Sequence, residues 1–298
     1  MKPLYEKVTV IAPARLHMGF IDLSGALGRH FGSIGVALND IHTRLTITPA
    51  EQLTVSGSCA ERATKAALRL CQTLTLPECF HIEVEAAIPE HIGLGSGTQL
   101  SLAVGMALNA YFGLNLTVRD VAKLTDRGAR SGIGIGVFEQ GGLVVDGGRG
   151  PETLTPPLLS RMPVPIDWRF VLAFDRRGQG LHGEQEIGAF AQLPPFPRAE
   201  AERRGYLLLM QALPALAEEN LPLFGEVITE LQASVGRHFA PVQGGVFTSP
   251  EVAAAMNWLQ QQGAVAIGQT SWGPTGFCAI PNPERAEDLL NQLARRFT

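Results

Sequence analysis

The stretch Pro89-Glu-His-Ile-Gly-Leu-Gly-Ser-Gly-Thr-Gln-Leu-Ser-Leu-Ala103 constrains the fold more than any other, because alternate glycines run straight into a helical pattern. Leu100, Ala103, Val104, Ala107, Leu108 and Tyr111 recur at i, i+3, i+4, i+7, i+8 and i+11, so one face of that helix is expected to be buried. Gly93, Gly95 and Gly97 allow positive φ and close approach of the backbone to a ligand, while Ser96 and Thr98 offer hydroxyls or a cap. The free amides of a first helical turn and the helix dipole favour an anion, phosphate above all. The same glycines would also serve a bare turn from a strand at 81–87 into the helix.

The chain around this loop is long enough for two domains of ordinary size or one large one, and its 298 residues, 45% hydrophobic and 17% charged, can bury a real core. A net charge of −4 with no basic block argues against a nucleic-acid partner, so any anion must be bound locally. Apolar runs are short and interrupted, and residues 1–9 have no signal-peptide core, which predicts no membrane association and a cytoplasmic location. Cys59, Cys71, Cys79 and Cys278 have neither CxxC spacing nor His partners and read as reduced thiols, and no HExxH pair suggests a transition-metal site.

Alternating or β-branched residues predict strands at 7–11, 43–48 and 53–56, followed by a helix over 60–72, a strand from 81, the glycine loop with its helix, and a helix at 118–127. The Pro-rich, uncharged stretch 147–165 is the best boundary, dividing the chain into domains 1–155 and 156–298. Beyond it come a strand at 168–174, a helix-rich stretch over 199–235, a helix at 250–261, strands at 265–268 and 276–280, and a last helix opened by Asn282 and Pro283.

Two further loops carry chemistry. Ala12-Pro-Ala-Arg-Leu-His-Met-Gly-Phe-Ile-Asp22-Leu-Ser-Gly25 places Arg15, His17 and Asp22 within eight residues: the guanidinium suits phosphate or carboxylate, and Asp22 could hold Mg²⁺ directly or through water. An Arg–Asp surface pair over a packed histidine is the structural alternative. Gly268-Gln-Thr-Ser-Trp-Gly-Pro-Thr-Gly276 sets Thr270, Ser271 and Thr275 beside Trp272, as donors and an aromatic wall or as a hairpin turn. Arg176, His182 and Glu184 lie in a charged loop after the strand at 168–174, and Arg127 and Arg130 flank the segment before Gly134.

Three glycine-rich pieces in this order resemble the GHMP superfamily, named for galacto-, homoserine, mevalonate and phosphomevalonate kinases. The resemblance spans nearly the whole chain and implies a two-domain α+β fold: a mixed α/β N-terminal domain with the phosphate loop, and a ferredoxin-like C-terminal domain. Those kinases continue the loop as Gly-Leu-Gly-Ser-Ser-Ala, whereas here Gly97 removes a metal-binding hydroxyl. Their Ser-Gly-Val-Asp run, whose acid activates the acceptor, reads Ser131-Gly-Ile-Gly134 before Gly141-Gly142, and a glycine cannot act as a base.

The pattern Gly-Leu-Gly-Ser-Gly-Thr-Gln, with Ser271-Trp-Gly-Pro-Thr275 and Arg15-Leu-His17, is similar instead to the β-ribofuranosylaminobenzene 5′-phosphate synthase family of methanopterin biosynthesis. That resemblance implies condensation of 5-phosphoribosyl 1-diphosphate with 4-aminobenzoate, or 4-hydroxybenzoate in some members, with loss of CO₂ and diphosphate, Mg²⁺ as cofactor and a homodimer. Gly93, Gly95, Ser96, Gly97 and Thr98 would hold a donor phosphate, and Asp22 or Glu184 would place Mg²⁺. Arg15 and His17 would meet phosphate or the acceptor carboxylate, and Trp272 the ring; Gln99, Arg130, Arg176, His182, Thr270, Ser271 and Thr275 would make further contacts. An ATP-dependent small-molecule kinase with another carboxylate, or a non-catalytic nucleotide-binding regulator, are the alternatives.

Overall fold

In the computed structural model the placement of residues 2–175, 177, 188, 192–271 and 273–297 is described. Its two longest strands, β1 (Val8–Asp22) and β2 (Phe31–Pro49), extend far beyond the segments that alternation predicts. Residues 12–25, expected as a loop, are largely the second half of β1. The Ala-Pro-Ala-Arg run has no β-branched residue to announce a strand, and from Leu16 to Phe20 every residue is buried, which erases the two-residue alternation.

Two compact units result, Met1–Leu16, Val36–Glu90 and Gly95–Arg161 forming one, and His17–Gly35, His91–Leu94 and Met162–Thr298 the other. The Pro-rich stretch predicts a single cut at 155/156; the division instead falls after Arg161 and also assigns 17–35 and 91–94 to the second unit.

In the first unit the strand order is β3 (Thr54–Gly57), β4 (Phe80–Ala86), β2, β5 (Leu143–Asp146) and β6 (Leu158–Met162), with β1 also paired to β2. β2 and β4 run antiparallel with Leu45 opposite Val84 and Ile47 opposite Ile82, while β3 joins β4 in parallel. Helices α1 (Ala60–Leu74) and α2 (Ser96–Phe112) cover these side chains: Ala63, Ala67 and Leu70 meet Val104, Leu108 and Tyr111 in one apolar cluster. α3 (Val118–Leu124) begins with a capping box between Thr117 and Asp120. α4 (Ile133–Gln140) lacked a sequence signal, because it opens with Ile-Gly-Ile-Gly and glycine disfavours helix.

The second unit holds an antiparallel sheet in the order β7 (Arg169–Phe174), β9 (Thr275–Ile280), β8 (Val265–Gln269), with Val171 opposite Cys278. α5 (Arg198–Leu207) passes through a π turn into α6 (Leu213–Ala217), followed by α7 (Leu221–Gln243), α8 (Pro250–Gln261) and α9 (Pro283–Arg296). Asn220, Ser249 and Asn282 cap the last three through their side chains, each with proline in the first turn. Val252, Met256, Leu259 and Leu289 close the core against Val171, Ile267 and Cys278. All four cysteines are free, and burial pushes the thiols of Cys71 and Cys278 up to about 11 and about 12. Among the described residues no helix is long and apolar enough to cross a membrane.

α7 lies on β8 at Gly225, where a Cβ would collide with the Val265 side chain and come within 2.9 Å of the Ala266 amide nitrogen. Gly225→Ala is therefore expected to destabilise the protein by about 1–3 kcal/mol through overpacking, seen as a fall of several degrees in Tm by differential scanning fluorimetry.

Candidate active site

α2 begins after Gly95, held at φ 79°, and no side chain caps it. Its first internal hydrogen bond runs from the Gln99 amide to the Gly95 carbonyl at 3.0 Å, so the amides of 96–98 have no acceptor within the helix. Neither Ser96 nor Thr98 takes the capping role, unlike Thr117, Asn220, Ser249 and Asn282 elsewhere. The two glycines admit guanidinium groups instead. A Cβ on Gly95 would lie 2.9 Å from Arg15 Cγ and 3.2 Å from its Nε, and one on Gly97 would lie 2.9 Å from Arg62 Nη2 and 3.6 Å from Arg127 Nη1.

Beside this helix start is a basic cavity of 240 Å³ lined by Arg62, Lys65, Arg69, Gly97, Ser101 and Arg127. Arg62, Lys65 and Arg69 pair with Glu90, Glu61 and Asp126, which are partly or well exposed. Such pairs are weak and readily exchanged for a stronger anion. Arg127 forms no ion pair among the described residues; its Nε bonds Ser101 Oγ at 3.2 Å. Burial, reinforced by the charges of Arg62 and Arg69, holds its pKa below the usual arginine value, so an anion placed here would be welcome. The α1 cations escaped the sequence reading because charges at i, i+3 and i+7 look like any solvated helix face.

Gln99 turns away from this surface. It is fully buried, and its Nε2 bonds the Gly134 carbonyl at 2.8 Å, tying α2 to α4. A Cβ on Gly134 would lie 3.0 Å from Thr98 Cγ2 and 3.5 Å from Gln99 Nε2. Where the resemblance puts a kinase carboxylate, there is packing.

In the second unit the late loop acts mainly on backbone. Thr270 Oγ1 accepts from the His17 amide at 3.0 Å and donates to the Gly93 carbonyl at 2.9 Å, and Thr275 Oγ1 donates to the Ile92 carbonyl at 2.7 Å. Both threonines are fully buried, so their hydroxyls hold segment 91–94 rather than face a ligand. Gly93 is required for the same reason: a Cβ would strike the Thr270 carbonyl oxygen and the Gly273 backbone. Ser271 is half-buried in a left-handed conformation, φ 56°, and lines a recess with His17. His17 Nδ1 accepts from the Gly19 amide at 3.2 Å, so a neutral ring carries its proton on Nε2.

Asp22 is buried at the end of β1, and its carboxylate serves its own turn. Oδ1 accepts from the Ser24 and Gly25 amides at 3.1 and 2.9 Å, and Oδ2 from the Leu27 amide at 2.7 Å. This Asx-type arrangement does not fit a resident Mg²⁺ ligand, and among the described residues no group of three His, Cys, Asp or Glu side chains could hold a metal. Arg130 is half-buried between α3 and α4. Arg176, His182, Glu184 and Trp272 lie outside the described residues.

Comparison with known proteins matches residues 61–141 to the family model "GHMP kinases N terminal domain" and 212–298 to "GHMP kinases C terminal". The beta-ribofuranosylphenol 5'-phosphate synthase of Methanocaldococcus jannaschii is 34% identical over 311 residues, covering 94% of this chain and 92% of the relative. The chain belongs to this synthase family. The synthase of the same name from Methanothermobacter thermautotrophicus is 30% identical over 91% of this chain and 88% of its own length. Phosphomevalonate kinase from Streptococcus pneumoniae superposes with a TM-score of 0.70 at 12% identity, covering 98% of this chain and 97% of that one, which is a likeness of fold. The chain therefore has the two-domain GHMP kinase fold and is an enzyme.

His238 on α7 is half-buried against Phe196, ring centroids 5.0 Å apart, and burial, with the nearby Arg204 charge, lowers its pKa. The folded ring stays neutral while the unfolded chain takes up a proton near about pH 6.5, so acidification favours unfolding. Denaturation midpoints should fall between pH 7 and pH 5, and His238→Gln should flatten part of that dependence.

Proposed function

We propose that this enzyme condenses 5-phosphoribosyl 1-diphosphate with a para-substituted benzoate, releasing CO₂ and diphosphate and forming an aryl β-C-riboside 5′-phosphate for methanopterin biosynthesis. The observation that carries the reading is an uncapped helix start ringed by Arg15, Arg62 and Arg127, in a unit whose position 134 is a packed glycine. A cationic helix start with no carboxylate at position 134 suits a displacement at the anomeric carbon better than activation of an acceptor hydroxyl.

The chemistry closes without proton abstraction. The bond from C1 to the diphosphate oxygen breaks with its electron pair going to the leaving group, giving an oxocarbenium-like transition state. The ring carbon bearing the carboxylate bonds to C1, pushed by the para substituent. The bond to the carboxylate carbon then breaks, its electrons restore the aromatic ring and CO₂ departs. Arginines around the first turn of α2 would neutralise the charge developing on the diphosphate.

The relatives are named for a ribofuranosylphenol, which supports 4-hydroxybenzoate as acceptor, and 4-aminobenzoate supplies the same para donation. Because Asp22 is engaged by its own loop, Mg²⁺ is expected to enter with the donor's diphosphate, whose oxygens and waters would supply most of its ligands. A homodimer and a cytoplasmic location accompany this proposal.

The test is release of labelled CO₂ from carboxyl-labelled 4-hydroxybenzoate and 4-aminobenzoate, with and without donor and Mg²⁺. Release that requires the donor supports the reading; inertness of both acids with turnover of ATP would replace it with a kinase. Arg127→Ala should raise the KM for the donor by about tenfold or more, the worth of a charge-assisted hydrogen bond, and leave the KM for the acceptor unchanged.

A further inference from the structure

Arg204 on α5 is 1% exposed, and none of its three guanidinium nitrogens has a hydrogen-bond partner among the described residues. Phe196 lies over the group, 5.2 Å from its ring centroid. The charges of Glu200 and Asp22 favour the cation from a distance, but both carboxylates are engaged elsewhere: Glu200 Oε2 accepts from Ser234 Oγ at 2.9 Å, and Asp22 holds its own turn. Burial outweighs them and draws the pKa down to about 9. A buried cation without a hydrogen-bonded anion is strongly unfavourable, so a structure that keeps one leaves a place for the missing partner.

That place is marked by Gly19. The space of its absent side chain faces Arg204 Nη2 at 3.5 Å and Gln232 Nε2 at 3.7 Å, with nothing closer. Gly19 and Gln232 also line a recess, open on one side and walled by Phe20, Val235, Phe239 and Val246, with His17, Gln243 and Ser271 among its polar lining. The recess has 20 Å³ of free space, roughly one water. A carboxylate can take that water's position, while an aryl ring must part the apolar side chains to follow it.

We propose that Arg204 and Gln232 anchor the carboxylate of an aromatic acid, with Phe20, Val235, Phe239 and Val246 receiving its ring. The inference rests on the acceptor chemistry proposed above and names its binding site. One guanidinium and one amide match the two oxygens of a carboxylate, and the apolar walls suit a ring behind it. Decarboxylation removes the group that Arg204 holds, so the product leaves a weaker complex than the acid that entered.

The experiment is titration calorimetry of the full chain with 4-hydroxybenzoate, 4-aminobenzoate, phenol and inorganic phosphate, in wild type, Arg204→Met and Gln232→Leu. Wild type should bind the better acid at least about tenfold more tightly than phenol. Arg204→Met should bind acid and phenol alike without losing thermal stability, since it removes an unpaired buried charge. Gln232→Leu, which keeps that charge, should weaken acid binding and leave phenol unchanged. Acid binding no tighter than phenol in wild type, or undiminished in both variants, overturns the anchor. So does a steep fall in Tm of Arg204→Met with acid binding intact in Gln232→Leu, or loss of phosphate binding alone. Donor-dependent CO₂ release with no effect of Arg204 would reject the anchor and leave the proposed reaction standing; acid binding through Arg204 without CO₂ release would do the reverse.

Discussion

Two threonine hydroxyls hold the backbone on which the glycine loop depends. Thr270 and Thr275, both without solvent exposure, donate to the carbonyls of Gly93 and Ile92, and Thr270 also receives the His17 amide. Buried carbonyls and amides need partners, and these side chains supply them where no ladder can. The three chain segments that sequence singles out as glycine-rich are thereby joined through backbone groups, at His17, at 92–93 and at 270–275. Gly93 completes the join, because its missing side chain lets the turn at 270–273 lie directly against it.

Glycines at 95 and 97 work differently. Each gives up a side chain so that a guanidinium can lie against the first turn of α2. The positive end of the helix and the cations of Arg15, Arg62 and Arg127 then act in the same direction, in a protein of net charge −4. The positive charge gathered here is a local property of one helix start and its neighbours. Arg204 follows another logic, one cation in an apolar setting, where a low dielectric strengthens any interaction it makes and penalises its having none.

Much of the architecture was legible because periodicity is a local signal. The helix predicted at 60–72 is α1, 250–261 is α8, and Asn282 with Pro283 opens α9. The misses have local causes too. β1 and β2 run longer than their β-branched segments because burial on both sides removes alternation, and α4 hides behind two glycines whose absent side chains are needed for packing.

By itself the sequence determined the order of the motifs and the residue types in them: a glycine loop enters a helix, and position 134 carries no carboxylate, whatever surrounds them. Only the tertiary structure decided which side chains surround that helix start. Thr270, Thr275, Gln99 and Asp22 look like ligands in the sequence, yet each makes its hydrogen bonds to backbone groups, which folding must satisfy. Arg62, Arg69 and Arg204 look unremarkable there and gain their meaning from what the fold places against them, since charge acts through space and burial, not through sequence spacing.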